Sequence, residues 1–423
     1  MLNYILTLGA NVIFKNGLCV KNLYELGLRF AFVSYILSAS LFFDTTFGFL
    51  IPLLGVGLTV AALLRLVSGG SLSISLWLLY IPFAAFASLL LTDTLIGSFS
   101  ELSLALAVAY QVGVVLFVLV YSNVIKLSDF YVIVYSGVYL VLDGFVSAPD
   151  LAMFRFNTLY GESINQAALL LSLGVGVSIF GIKSSLQKNN CFTAFVLLVA
   201  LLVLLAGVVL LGSRQGLILS GLWISALLFV GWKKWFFAMA IVVFGLVYYK
   251  IDYFSGLYIW ERIQGVLSLL GVASATGERS IGVRADLIEY GLANWSDHFV
   301  VGQGIRAFEK VTPFGKYSHN NYIELLYNHG LSGLLLYYIP FIILLFWCLW
   351  KRGFSPGRDR FYIVLLVYAL FYVLIQGFFI VHYFRYVTWI AVLLLLYSAV
   401  NGGIFGTSHC AKETPKRLPD SFK

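Results

Sequence analysis

Three arginines and one polar run hold the side chains of this sequence that could do chemistry. Arg214 lies in Gly212-Ser213-Arg214-Gln215-Gly216, between two long apolar runs and with no acidic residue near it. Arg284 lies in Arg279-Ser280-Ile281-Gly282-Val283-Arg284-Ala285-Asp286, and Arg155 precedes Asn165 and Gln166. A guanidinium is a planar fork that matches phosphate oxygens and stays charged at every relevant pH, so arginines so placed can face an anion at a membrane surface. The plainer reading of Arg214 is a side chain snorkelling to the interface, and that of Arg284 a loop arginine paired with a nearby carboxylate. The densest polar cluster is Tyr317-Ser318-His319-Asn320-Asn321-Tyr322-Ile323-Glu324-Leu325-Leu326-Tyr327-Asn328-His329-Gly330-Leu331-Ser332-Gly333. At helical spacing Asn320 and Glu324 share a face, as do His319 and Tyr322. Histidine titrates near neutral pH and can take a proton from a hydroxyl, which makes His319 a candidate general base. The same run also reads as an amphipathic, partly solvated helix with its Leu, Ile and Tyr face on neighbouring helices.

Apolar helices must position these groups. Of 423 residues 61% are hydrophobic and 11% charged, with a mean hydropathy of +0.94. Soluble domains have about 45–50% apolar and about 25% charged residues. The composition therefore excludes a soluble globular enzyme, a disordered chain and a disulfide scaffold, and indicates a polytopic membrane protein. At about 20 apolar residues per span it supplies on the order of 12. The candidates are Leu28–Phe43, Thr46–Leu64, Ile74–Leu91, Leu102–Tyr121, Leu127–Val146, Gln166–Ile182, Phe192–Leu211, Gln215–Trp232, Trp235–Tyr249, Ser332–Trp350, Phe361–Ile380 and Phe384–Val400. In hydrocarbon every backbone amide must pair internally, so these runs are expected to be helices. The expected fold is an all-α membrane bundle of about 12 spans with one large, partly helical outer loop between spans nine and ten. Its parts are an N-terminal bundle (1–250), the loop (251–331), and C-terminal spans with a tail (332–423).

Charge orients this bundle. With the N-terminus inside, 17 of the 27 basic residues fall in cytoplasmic segments against five acidic ones, while the outer side holds ten basic and fourteen acidic residues. The net charge of +8 is thus an orientation signal and no footprint of nucleic acid. Arg155, Arg214 and Arg385 sit in short outer connections against this bias. Within the outer loop, Asp286–Tyr290 has helix character, and Ser318–Leu331 is predicted to be an amphipathic helix with Ser318 as N-cap. Gly302-Gln303-Gly304 lacks the strand-and-helix context of a nucleotide fingerprint and reads as a tight turn. Met1–Phe14 is read as an interfacial helix and not a secretory signal, because Lys15 follows the apolar run. Four cysteines without CxxC or Cys/His spacing argue against a metal site. No internal repeat is found, which counts against a secondary transporter built from two related halves.

The run His319-Asn320-Asn321-Tyr322-x-Glu324-Leu325-Leu326-x-x-x-Gly330-Leu331-x-Gly333 resembles the signature of the O-antigen ligase/polymerase superfamily, as does the Ser213-Arg214-x-Gly216 junction. Arg284 followed by Val301-Gly302-Gln303-Gly304 is similar to that family's arginine and glycine-rich turn, and Arg155 with Asn165 to a looser element. The resemblance runs from Arg155 to about Leu336. It implies a membrane-embedded glycosyltransferase of the GT-C type that is inverting and metal-independent, with no cofactor. The donor would be an oligosaccharide on undecaprenyl diphosphate. The acceptor would be a second lipid-linked repeat unit for an O-antigen polymerase, or lipid A-core for a ligase. The Ser-His-Asn-Asn-Tyr form looks more polymerase-like. Implied roles are His319 as base, Arg214 and Arg284 on the diphosphate, and Arg155, Asn165, Asn320, Tyr322 and Glu324 in substrate binding. The resemblance further implies the bacterial inner membrane, cytoplasmic termini, a periplasm-facing site and a chain-length regulator as a partner.

Overall fold

The computed structural model describes residues 20–41, 46–97, 99–147, 164–211, 213–229, 279–350, 358–378, 381, 383 and 385–401. Met1–Phe14, the candidate span Trp235–Tyr249 and Arg155 lie outside them. Among the described residues the chain is helical and contains no strand. In chain order the helices are α1 (Val20–Leu41), α2 (Leu50–Val67), α3 (Ile74–Ile96), α4 (Leu102–Val120), α5 (Tyr131–Ser147), α6 (Ile164–Gln187), α7 (Cys191–Leu211), α8 (Arg214–Phe229), α9 (Arg279–Asn294), α10 (Ala307–Val311), α11 (Asn321–Trp350), α12 (Arg358–Gln376) and α13 (Tyr386–Asn401). Seven of the described helices are long and apolar enough to cross a membrane, and three more are apolar but shorter. This is a multi-pass membrane protein.

The spans pack through small residues, as expected where lipid supplies no hydrophobic drive between helices. Gly113 of α4 lies against Thr59 of α2, and Gly55 of α2 lies against Tyr110 of α4, so these two helices run side by side in the same direction. Gly137, Gly174 and Gly207 admit the α5–α6–α7 contacts around Leu171 and Leu204. At the opposite end of the bundle from the polar cluster, Arg29 of α1 forms a two-pronged ion pair with Asp129, whose carboxylate also accepts the Lys126 N–H at 2.8 Å.

Helix α11 departs from the expected amphipathic segment. Gly330 has non-helical angles (φ 60, ψ −164). Asn321 and Tyr338 are 17 positions apart, yet the Asn321 amide donates to the Tyr338 hydroxyl at 2.9 Å. A continuous helix would separate them by about 25 Å. Tyr322 also stacks on Tyr338, with ring centroids 4.7 Å apart and planes within 10°. The chain therefore doubles back at Gly330, and Asn321–His329 is the short arm of a helical hairpin whose long arm continues to Trp350. That short arm is buried nearly all round instead of solvated on one face, because its polar side chains find partners inside the protein.

A backbone crossing fixes the tip of the hairpin. Gly304 N–H donates to Asn328 O at 2.7 Å, Leu331 N–H to Phe299 O at 2.8 Å and Ser332 N–H to Val300 O at 3.1 Å. Gly302 and Gly330, both at positive φ, face each other across this crossing. A Cβ on Gly330 would sit 2.5 Å from the Val300 carbonyl and 2.7 Å from Gly302 N. Gly330→Ala is expected to cost more than the ~1–2 kcal/mol of a left-handed residue alone, since backbone must also move. A drop in the melting temperature of the purified protein in detergent checks this, and an unchanged value would mean the crossing is dispensable. The turn expected at Gly302-Gln303-Gly304 is present, and its function is to clasp the hairpin.

Candidate active site

The short arm begins at the site. Asn320 is its N-cap, with Oδ1 accepting from the N–H groups of Tyr322 (2.9 Å) and Ile323 (3.2 Å). The expected cap, Ser318, lies two residues earlier. Its hydroxyl donates to Asn320 O at 2.7 Å and accepts from Asn320 N–H at 3.2 Å. Between them His319 holds a left-handed conformation (φ 57), which is unusual for a residue with a side chain. Such a conformation costs of order 1–3 kcal/mol and persists only where its surroundings enforce it. Glu324 supplies the enforcement: one carboxylate oxygen accepts the Ser318 N–H at 2.8 Å and the other accepts the Asn328 amide at 3.0 Å. Asn328 in turn accepts the Phe308 N–H at 2.8 Å, tying α10 to the same cluster.

Because His319 precedes the helix, it does not share a face with Tyr322 as helical spacing suggested. Its ring packs on Tyr317, with centroids 4.1 Å apart. Tyr322 turns into the bundle, against Tyr338 and Phe378, and donates its hydroxyl to Leu374 O at 2.8 Å. Arg284 on α9 is partly buried and stands near enough to act on both Tyr317 and His319. Burial holds its guanidinium below the ordinary arginine value. Burial also lowers the His319 imidazole to about 4, with the charges of Arg284 and Lys316 adding to the effect. At neutral pH the imidazole is therefore uncharged and able to accept a proton beside a fixed cation.

Asn165 and Ser213 meet at a second place. Asn165, at the start of α6, accepts the Ser213 hydroxyl at 3.4 Å, and Ser213 caps α8 by accepting the Gly216 N–H at 3.4 Å. The backbone of Arg214 opens α8, while its side chain lies outside the described residues. No hydrogen bond or ion pair among the described residues joins Asn165 or Ser213 to the Arg284–His319 group.

Several supporting residues were not legible in the sequence. Asn321 is fully buried, donates its N–H to Gly377 O at 2.8 Å, and accepts the Tyr383 N–H at 3.2 Å. It thereby ties the start of the hairpin to the α12–α13 connection. At the hairpin tip His329 is wholly buried, with Nδ1 2.9 Å from Asp93 Oδ2 on α3 and its ring edge-on to Phe86 and Tyr383. Glu101 pairs with Lys310 at 3.0 Å and Arg306 at 3.7 Å, holding α10 onto the α3–α4 turn. Asp93 and Glu101 stand more than 200 positions from their partners, and only their place beside candidate helix ends hinted at a role.

Residues 198–338 match a family model described as O-antigen ligase. The matched segment begins after Asn165 and takes in Arg214, Arg284, the Gly302–Gly304 clasp, His319 and the hairpin as far as Tyr338. A comparison with curated proteins gives no match. Over residues 198–338 this multi-pass chain is thus similar to the O-antigen ligase family.

Proposed function

We propose that the chain is an O-antigen polymerase, transferring an oligosaccharide from undecaprenyl diphosphate to a sugar hydroxyl of a second lipid-linked repeat unit. The observation that carries the reading is the pairing of an uncharged His319 with the Arg284 cation, on a segment matched to O-antigen ligases. In the proposed step the acceptor hydroxyl attacks the glycosyl C1, His319 takes the hydroxyl proton, and the bond from C1 to the diphosphate oxygen breaks with inversion. The leaving diphosphate gains negative charge, which a fixed guanidinium in a water-poor site stabilises. Arg284 takes this role with Arg214, and Arg155 and Asn165 complete the donor contacts. Asn320 and Glu324 act by holding the strained His319 turn, and Tyr322 by anchoring the hairpin. No metal or cofactor enters this scheme. The protein would sit in the bacterial inner membrane with cytoplasmic termini and the site facing the periplasm, as the basic-residue asymmetry supports. A chain-length regulator is the expected protein partner.

A ligase reading, with lipid A-core as acceptor, is favoured by the description of the matched family. Deleting the gene and examining the lipopolysaccharide separates the two. Core capped with a single repeat unit indicates a lost polymerase, and uncapped core a lost ligase. A ladder unchanged in length and amount would overturn both. Within either reading, Arg214→Lys is expected to lower transfer by about 10², close to Arg214→Ala, because an ammonium cannot reproduce the fork. Assay of both variants at matched membrane abundance checks this, and full activity in the lysine variant would remove the bidentate role.

A further inference from the structure

A histidine that acts as a base is ordinarily oriented by a hydrogen bond. One ring nitrogen is held by a carboxylate or carbonyl, and that bond sets which nitrogen carries the proton. Among the described residues no hydrogen bond reaches either ring nitrogen of His319. The carboxylate that serves its turn, Glu324, is committed elsewhere: one oxygen takes the Ser318 N–H at 2.8 Å and the other the Asn328 amide at 3.0 Å. What meets the imidazole is the ring of Tyr317, with centroids 4.1 Å apart and planes 41° apart.

The backbone holds the two rings together. Tyr317 and His319 flank Ser318, whose N–H is taken by Glu324 and whose hydroxyl bonds both the N–H and the carbonyl of Asn320. Tyr317 is also packed against the main core of the bundle, so its ring touches that core as well as the imidazole. Arg284 of α9 stands near both side chains. The charges that act on His319 are Arg284 and, in its own turn, Lys316, and both disfavour its protonated form. Burial is the larger influence in the same direction, and the Tyr317 ring supplies part of that burial. An anion bound at Arg284 would pull the other way, because an opposite charge favours the imidazolium. Shielding of the imidazole opposes that pull and leaves a nitrogen able to accept a proton with the anion in place.

We propose that Tyr317 is a positioning residue for the transfer step, its ring holding the His319 imidazole by contact, in place of a hydrogen bond, and keeping water from the face it covers. The assignment rests on the reading of His319 as the base. It belongs to the ring and not to the hydroxyl, so phenylalanine should serve at this position and a side chain too short to cover the imidazole should not.

The test uses the full-length protein in nanodiscs with isotope-labelled histidines, titrated by NMR and assayed for transfer. Loss of one signal in His319→Gln identifies His319. The native imidazole is expected to stay unprotonated down to about pH 4. In Tyr317→Ala the midpoint should rise by about one pH unit or more toward the ordinary 6.5. The same change should lower kcat by about 10–10² with little effect on KM, and should move the acid limb of kcat upward. Tyr317→Val, which keeps apolar bulk against the core but is too short to cover the imidazole, replaces alanine if that variant does not fold. Tyr317→Phe should keep the native midpoint and most of the rate. A lowered melting temperature with an unmoved midpoint and acid limb would make Tyr317 merely structural and overturn the assignment. A phenylalanine variant as impaired as alanine would also overturn it, by moving the function to the hydroxyl. The titration needs no substrate, so the two readings fail separately. If the midpoint moves as expected but the native protein transfers no glycan, the reading as a transferase fails while the ring contact stands.

Discussion

His319→Ala is expected to abolish polymer formation, lowering transfer by about 10²–10⁴ while the protein still inserts at normal abundance. Alanine removes the proton acceptor, and it also keeps a side-chain carbon at a backbone position where φ is 57, so the turn stays as strained as before. The rate loss should accordingly come without a large loss of stability. His319→Gln separates the two functions: a glutamine can hydrogen bond but takes no proton at neutral pH, so it should be as inactive as alanine. Assays in membranes from a deletion strain, scored against protein abundance, decide the matter. Substantial activity in either variant would end the assignment of His319 as the base.

Arg284→Gln is expected to produce two effects that a purely structural role would not link. Transfer should fall by about 10²–10³ through loss of charge stabilisation at the leaving diphosphate. The remaining activity should also change its pH dependence. His319 titrates at about 4 because burial comes first and the Arg284 and Lys316 charges add to it. A free imidazole titrates at about 6.5. The base acts when unprotonated, so native activity should persist as pH falls from 7 and be lost only as pH drops through about 4. Removing the Arg284 charge makes protonation easier, which raises the histidine's value and moves the acid limb of kcat/KM upward. Burial remains, so the limb should stop short of the free-imidazole position. A rate loss with an unmoved acid limb would place Arg284 away from His319.

The cluster around these two residues explains why a polar run survives inside a membrane bundle. Buried polar groups are costly unless paired. Here Glu324, Asn328, Ser318 and Asn320 largely pair with one another and with backbone amides. Their collective product is one irregular turn, and His319 is at its apex. Asn321 and the Gly302–Gly330 crossing then hold that turn against two different parts of the bundle.

Much of this protein was legible in its amino-acid order, for a physical reason. Hydrocarbon permits few backbone solutions, so apolar runs of about 20 residues had to be helices, and most candidate spans fall on helices of the described residues. The helix near Asp286–Tyr290 is present within α9, and the matched segment includes the motifs around Arg214, Arg284 and His319 that carried the family resemblance, though not Arg155 and Asn165. The residues from Ser318 onward were a different matter. Helical spacing paired Asn320 with Glu324 and His319 with Tyr322, and chose Ser318 as the cap. The actual helix starts two residues later than a Ser318 cap would place it, because Asn320 caps it and Glu324 reaches back to Ser318. Only the tertiary structure reversed the chain at Gly330, since that reversal depends on Val300 and Gly302 meeting it across a backbone crossing. It alone also brought Asp93 to His329, Glu101 to Lys310 and Tyr383 to Asn321. Local order determines which segments enter the membrane and which residue types are available to act. Long-range pairing of buried polar groups, each too costly to leave alone, decides where those residues meet.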